Sequence, residues 1–203
     1  MTKNACRRTW GLILLLLFAG RASSLRAQDV RVPVEVQFDL FSKILIFDRN
    51  LHSRANGEIV FGIVYQSHYR ASVDAAETFR DLLYRISGSQ LSGLPVRIVM
   101  IDLEKSKPLD KAIETNGLNI LYVPPLRAFD IKTISTISRA RKILTLTGVP
   151  DYSRSDLSVS VDSAGGKPQV LINLTAATAE GCDFSSKLLN LVTIVGTDDG
   201  EKR

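Results

Sequence analysis

The chain has 203 residues, and its 45% hydrophobic content belongs to an ordinary globular fold. A formal charge of +5 arises from 26 Lys and Arg against 21 Asp and Glu, yet Lys3, Arg7, Arg8, Arg21 and Arg26 all fall before residue 28, where there is no acid. From residue 28 onward the count is 21 against 21, which removes the electrostatic case for nucleic-acid binding.

Residues 1–27 read as a secretory signal peptide: Lys3, Arg7 and Arg8 make a positive start, Leu12 to Ala19 is an apolar run, and Ala27 is a small residue before a cut. A membrane span needs about 20 apolar residues, and Arg21 and Arg26 interrupt this run too early, so no membrane insertion is expected after cleavage. Leu25 is large for the −3 position, which leaves neighbouring bonds open as the cut. Cys6 precedes the apolar run, whereas a lipoprotein cysteine follows it. The exported chain of about 176 residues suits one domain over 28–197, with a disordered polar tail at 198–203. Cleavage leaves Cys182 as the last cysteine, so no intramolecular disulfide forms. Cys182 is either a plain small residue at a helical corner or a point of intermolecular pairing or modification. His52 and His68 are the two histidines, and neither has a spaced ligand partner, so no metal site or thiol nucleophile is indicated.

The organised part begins at about Val34. Phe38, Phe41, Ile44, Leu45, Ile46 and Phe47 recur at a helical period and predict a first helix running through Leu51. Lys43, Asp48, Arg49 and Asn50 interrupt its apolar surface; they are candidate partner or ligand contacts, or else a structural ion pair with helix-end hydrogen bonds. Ile59 to Tyr65 is a continuous apolar strand. Ser72 is expected to cap a helix whose Val73, Ala76, Phe79, Leu83 and Ile86 share one face, with Gly88 as its stop. Val96 to Leu103 is the second strand. Pro108 opens a short helix to Asn116 and Gly117, and Asn119 to Val123 is the third strand. Asp130 caps a helix through Arg141, and Ile143 to Thr147 is the fourth strand.

Apolar strands alternating with amphipathic helices predict a single Rossmann-like α/β domain of three layers, with a mostly parallel sheet. Leu157, Val159 and Val161 alternate with Ser158, Ser160 and Asp162, and the SAGGK turn at 163–167 leads back into a strand at Gln169, so an antiparallel hairpin is expected at the sheet's edge. Asn173, among Val170, Leu171, Ile172 and Leu174, must find hydrogen-bond partners and is expected to be structural. An Ala-rich helical turn ends at Gly181. Ser185 then caps a closing helix, with Phe184 placed to pack on Leu189 and with Leu188, Leu189, Val192 and Val195 as its inward stripe.

Ligands of open α/β sheets bind beyond the carboxyl ends of the strands, which places Gln66, Ser67 and His68, Pro124 and Pro125, and Thr147 and Gly148 on one rim. Of these, Gln66 and His68 are the candidate ligand contacts. The glycines make neither a dinucleotide fingerprint nor a Walker loop, and Ser185–Lys187 lacks an oriented base, so neither a cofactor nor a catalytic residue is assigned.

Two motifs carry a family resemblance. The run LINL-x-AA-x-AEG-x-DFSSKLL-x-L from Leu171 to Leu191 resembles the C-terminal signature of the YfiR-like (YfiR/HmsC) family of small bacterial periplasmic proteins. The segment FDLFSKILIFDRNL, Phe38 to Leu51, resembles that family's first helix, in a branch that carries a KIL-x-FDRNL motif. The resemblance implies a non-enzymatic periplasmic regulator that holds the sensory region of an inner-membrane diguanylate cyclase inactive and so controls cyclic-di-GMP and biofilm formation. An interface is then expected on exposed apolar surface of the first or last helix, with a homodimer as one form it could take. The disulfides of the family's best-known member have no counterpart here. The competing expectation is a periplasmic small-ligand-binding protein of a transport or sensory system; a secreted hydrolase is a third, without a convergent set of residues to support it.

Overall fold

The computed structural model describes residues 32–87, 91–105 and 109–196. In chain order the elements are α1 (Val34–Leu45), α2 (Leu51–Ala55), β1 (Ile59–Tyr65), α3 (Arg70–Ser87), β2 (Val96–Asp102), α4 (Leu109–Asn116), β3 (Ile120–Val123), α5 (Ile131–Arg141), β4 (Leu144–Thr147), α6 (Pro150–Ser155), β5 (Val159–Ala164), β6 (Lys167–Asn173), α7 (Leu174–Ala179), α8 (Ser186–Leu189) and β7 (Thr193–Val195). The signal peptide, Gly88, Pro108 and the tail lie outside the described residues.

Seven strands form one sheet in the order β2-β1-β3-β4-β5-β6-β7, parallel except for the β5–β6 pair. β1 and β3 are apolar throughout because both faces of the sheet are covered there. Ile59, Phe61 and Ile63 of β1 join the core beneath α1 and α3, whereas Val60 and Val64 join the one beneath α4, α5 and α6. Ile120 and Tyr122 against Leu121 and Val123 repeat that division in β3. The first core is aromatic. Phe79 of α3 stacks on Tyr122 at 3.9 Å, and Phe38 of α1 meets Phe79 edge-on at 5.5 Å, so two helices are keyed to one position of the sheet. The expected three-layer α/β domain is what forms.

Several elements differ from expectation in extent. The first helix stops at Leu45, and the chain turns through residues 46–50 before α2. The helical period runs on through Phe47, but Asp48 is drawn out of it into an isolated antiparallel bridge with Phe184. Ser72 does not cap: α3 begins at Arg70, and the buried Ser72 hydroxyl accepts the Gln66 N–H at 3.2 Å instead. A helix not anticipated, α6, starts with Pro150 at its first position, where the missing N–H costs nothing.

The β5–β6 hairpin turns through Gly165 and Gly166, at φ 58° and 76°, the positive pair that a two-residue hairpin turn requires. It is not at the edge, because β7 adds outside it, parallel to β6, with Leu171 opposite Thr193 and Asn173 opposite Val195. The closing helix is correspondingly short. α8 ends at Leu189, and Val195, expected on its inward stripe, lies on β7. Asn173 joins these pieces: its Oδ1 accepts the Ala176 N–H at 3.0 Å, capping α7, and its Nδ2 donates to the Ser153 carbonyl at 3.0 Å.

The Ser-bearing face of β5 is buried rather than solvated. Ser158 and Ser160 are fully enclosed together with Glu180. The Glu180 carboxylate accepts from the Ser138 hydroxyl at 2.7 Å, the Thr145 N–H at 2.8 Å, the Thr145 hydroxyl and the Ser158 hydroxyl, tying α5, β4 and β5 to the end of α7. Burial pushes its pKa up, and those same hydrogen bonds pull against the shift.

Candidate functional site

The turn after α1 and the loop before α8 form one corner. Phe47 C=O accepts the Ser185 N–H at 3.0 Å and Asp183 C=O accepts the Arg49 N–H at 3.0 Å, a short antiparallel ladder. Asp48 sits inside it with its side chain fully buried. Its Oδ1 accepts the N–H groups of Asn50 and Asp183, each at 3.0 Å, and its Oδ2 is paired with the Arg54 guanidinium. Arg54 in turn donates to the Asn119 carbonyl at 3.3 Å, which anchors the corner to the start of β3. A buried charge pair of this kind is tolerable only because both partners are supplied with further hydrogen bonds.

The expected contact residues therefore divide. Asp48 is interior to the corner. Asn50 lies on its surface, where its amide donates to the Gly181 carbonyl at 3.1 Å, and Arg49 makes an exposed ion pair with Asp183 at 3.4 Å. Lys43 is exposed and has no ion-pair partner among the described residues. Ser185 has the extended backbone of a helix cap, yet its hydroxyl caps nothing and is buried without a partner among the described residues. Arg54 and Asp183 were not singled out from the sequence; Arg54 stands six positions after Asp48, a spacing that has no meaning until the chain turns between them.

Two large apolar side chains flank the corner and face solvent. Ile46 is 67% exposed and Leu191 is 79% exposed. Phe184 and Leu188, on the α8 side of the corner, are buried in the first core, and the Leu191 N–H donates to the Leu188 carbonyl at 2.8 Å.

The rim at the carboxyl end of β1 has a different character. Gln66 is buried, and its amide closes on one residue of the β3–α5 loop: Oε1 accepts the Arg127 N–H at 2.7 Å and Nε2 donates to the Arg127 carbonyl at 3.0 Å. The Arg127 guanidinium lies 4.8 Å over the Tyr69 ring. His68 projects into solvent, while its backbone N–H and Nδ1 meet Glu104 Oε2 at 2.8 and 2.7 Å. The His68 N–H is the chief reason that the Glu104 carboxyl is held below the usual range. The rim is thus a set of loop clamps, and Gln66 and His68 serve different loops.

Cys182 is buried, and burial pushes its thiol pKa up, which disfavours the nucleophilic thiolate. Among the described residues no group of three or more His, Cys, Asp or Glu is placed to hold a metal ion. No described helix is long and apolar enough to cross a membrane.

Known proteins place the fold. A conserved domain protein from Vibrio cholerae O1 biovar El Tor superposes with a TM-score of 0.54 at 15% identity, over 80% of this chain and 60% of that one. The ligand-free, open form of a substrate binding protein with adhesive properties from Clostridium difficile gives a TM-score of 0.51 at 13% identity, over 82% of this chain and 61% of that one. The chain therefore spans about three fifths of the length of the solved structures it resembles, and the likeness is one of fold. No curated protein matches it. Residues 58–193 match the family described as YfiR/HmsC-like, a span that includes the Asp183–Leu191 side of the corner and leaves the Ile46–Asn50 side just before it. The chain belongs to the YfiR/HmsC-like family.

Proposed function

We propose that this protein is a non-enzymatic periplasmic regulator that binds the periplasmic sensory region of an inner-membrane signalling protein, a diguanylate cyclase, and holds it inactive. Family membership supports the class of function. The observation that carries the interface is the exposure of Ile46 and Leu191 on a corner whose backbone is pinned by Asp48. Exposed large apolar side chains on a rigid support make effective contact anchors, because little conformational entropy is lost when they are covered. Binding one conformation of the cyclase shifts its population toward the inactive form, and release raises cyclic-di-GMP.

The test is in-cell crosslinking of the tagged chain, with cyclic-di-GMP measured in parallel. Ile46→Glu and Leu191→Glu should each release an inner-membrane protein bearing a periplasmic sensory region and raise cyclic-di-GMP. Retention of that partner by both variants would place its contact elsewhere, and recovery of self-crosslinked protein alone would make the corner a homodimer surface. Under a solute-receptor reading, Gln66→Ala and His68→Ala would abolish a measurable solute affinity. The closure of the Gln66 amide on Arg127 weighs against that reading.

A further inference from the structure

Among the described residues β2 occupies one edge of the sheet, with β1 on its inner side and no strand on its outer side. The ladder between them is set by the Ile59 N–H donating to the Pro95 carbonyl and the Leu103 N–H donating to the Tyr65 carbonyl, both at 2.8 Å. In a parallel pair this directs the backbone groups of the odd-numbered β2 residues toward β1 and those of the even-numbered residues away from it. The N–H and C=O groups of Ile98 and Met100 therefore face outward, and no described residue bonds to them. The strand is seven residues long, without proline, and its one basic residue, Arg97, is held by Glu58 at 2.9 Å and by the Asn116 carbonyl at 2.8 Å. Proteins ordinarily blunt such an edge with free charges, bulges or a covering element.

Alongside it lies a cleft of about 470 Å³ between the end of β2 and α4. Val99 and Ile101, whose side chains face the α4 side of the sheet, contribute apolar wall, Thr115 and Lys111 line it from α4, and Lys105 also lines it. Lys105 is paired with Asp102 at 3.3 Å, whereas Lys111 is exposed and has no partner among the described residues.

We infer that the β2 edge receives an extended segment of a partner protein as an added strand, with an apolar side chain seated in the cleft and an Asp or Glu side chain against Lys111. The outward backbone groups supply sequence-independent hydrogen bonds, and the cleft and the ammonium supply the selection. This surface is separate from the Ile46–Leu191 corner: β7, which follows Leu191, closes the opposite edge of the sheet. Its success or failure is independent of whether the regulator reading holds.

The experiment places a photo-crosslinking residue at the exposed position Thr115 in the full-length exported protein, in cells, and maps the crosslinked peptide by mass spectrometry. The expected product joins Thr115 to an acidic, β-branched segment of another protein. Lys111→Glu should lower its yield by about fivefold or more, with Lys111→Arg restoring it. Met100→Pro, which removes an outward N–H that β1 does not use, should lower it by about tenfold. Should Met100→Pro not fold, the Lys111 pair decides alone. An adduct of the chain with itself would make β2 a self-pairing edge and overturn the inference, as would no adduct or a yield indifferent to Lys111. Partner release by Ile46→Glu with an unchanged Thr115 adduct would show two separate surfaces; loss of the membrane partner from both experiments would remove the regulator reading without touching an adduct formed at β2.

Discussion

The Asp48 carboxylate accepts the backbone N–H of Asp183 at 3.0 Å, a bond between residues 135 apart in sequence. It joins the two segments that carry the family resemblance, the FDRNL turn and the DFSSKLL loop. Because the same carboxylate holds Asn50 N–H and Arg54, its removal leaves three donors without their acceptor. Asp48→Ala should therefore cost about 3–5 kcal/mol, the range for breaking a buried pair from one side. Asp48→Asn should cost less, since an amide oxygen still accepts. Asp183→Ala, which breaks the exposed pair with Arg49 and spares the backbone bond, should cost under about 1 kcal/mol. Urea denaturation of the three variants checks the order.

Cys182 reports on the same corner. Its side chain is buried beside the Asp48–Arg54 pair, and burial holds the thiol protonated. Native protein should react with a thiol reagent only through opening of the corner, at a rate far below that of unfolded chain. Asp48→Ala should accelerate labelling at denaturant concentrations where circular dichroism shows the sheet intact. Equal rates in the two proteins would mean that Asp48 does not control the opening.

Glu180 gives a pH dependence with a definite sign. Its folded pKa is raised, so the folded state holds the proton more tightly than the unfolded one. The stabilisation linked to that proton is fully present below the ordinary carboxyl pKa. It is lost as pH rises from that value through the folded pKa. Glu180→Gln, which keeps a hydrogen-bonding amide among Ser138, Thr145 and Ser158, removes the titration. Relative to wild type, Glu180→Gln should gain stability as pH is raised above the ordinary carboxyl value of 4.5, the window opened by the upward shift. Parallel stability curves for the two proteins across that window would refute it.

The frame of the fold was legible because each central strand announces itself. Ile59 to Tyr65 is apolar on both faces and turn chemistry bounds it, so the strand has the limits its composition implies. What escaped was long-range pairing. Leu188, Leu189, Val192 and Val195 satisfy a helical period, yet Val195 pairs with Asn173 in a strand, because an available edge on β6 outweighs a weak helical preference. Asp48 looked like helix surface for the same reason: nothing in KILIFDRNL indicates that Asp183 N–H will arrive beside it. Ser158 and Ser160 alternate as a solvated face would, and their burial became intelligible only with their partners in place: Glu180, 22 residues beyond Ser158, as the acceptor for Ser158, and the Ser153 hydroxyl for Ser160.

Gly148 leaves room for the side chain that holds α1 to the sheet. It needs no positive φ; what it needs is space, since a Cβ there would overlap the Gln37 side-chain amide. Gln37 is wholly buried, with Nε2 donating to the Val32 carbonyl at 2.7 Å and Oε1 accepting the Tyr122 hydroxyl at 3.1 Å. The amide has nowhere to retreat without breaking one of these bonds, and Tyr122 is fixed in turn by its stack on Phe79. Gly148→Ala should thus lose about 1–3 kcal/mol through overpacking. Tyr122→Phe, which strips Gln37 Oε1 of its side-chain donor and preserves the stack, should lose about 1–3 kcal/mol. The double variant should lose less than the sum, because Gly148→Ala already displaces the amide that Tyr122 serves. Denaturant midpoints of the four proteins measure the coupling, and strict additivity would show that Gly148 and Tyr122 act on α1 separately.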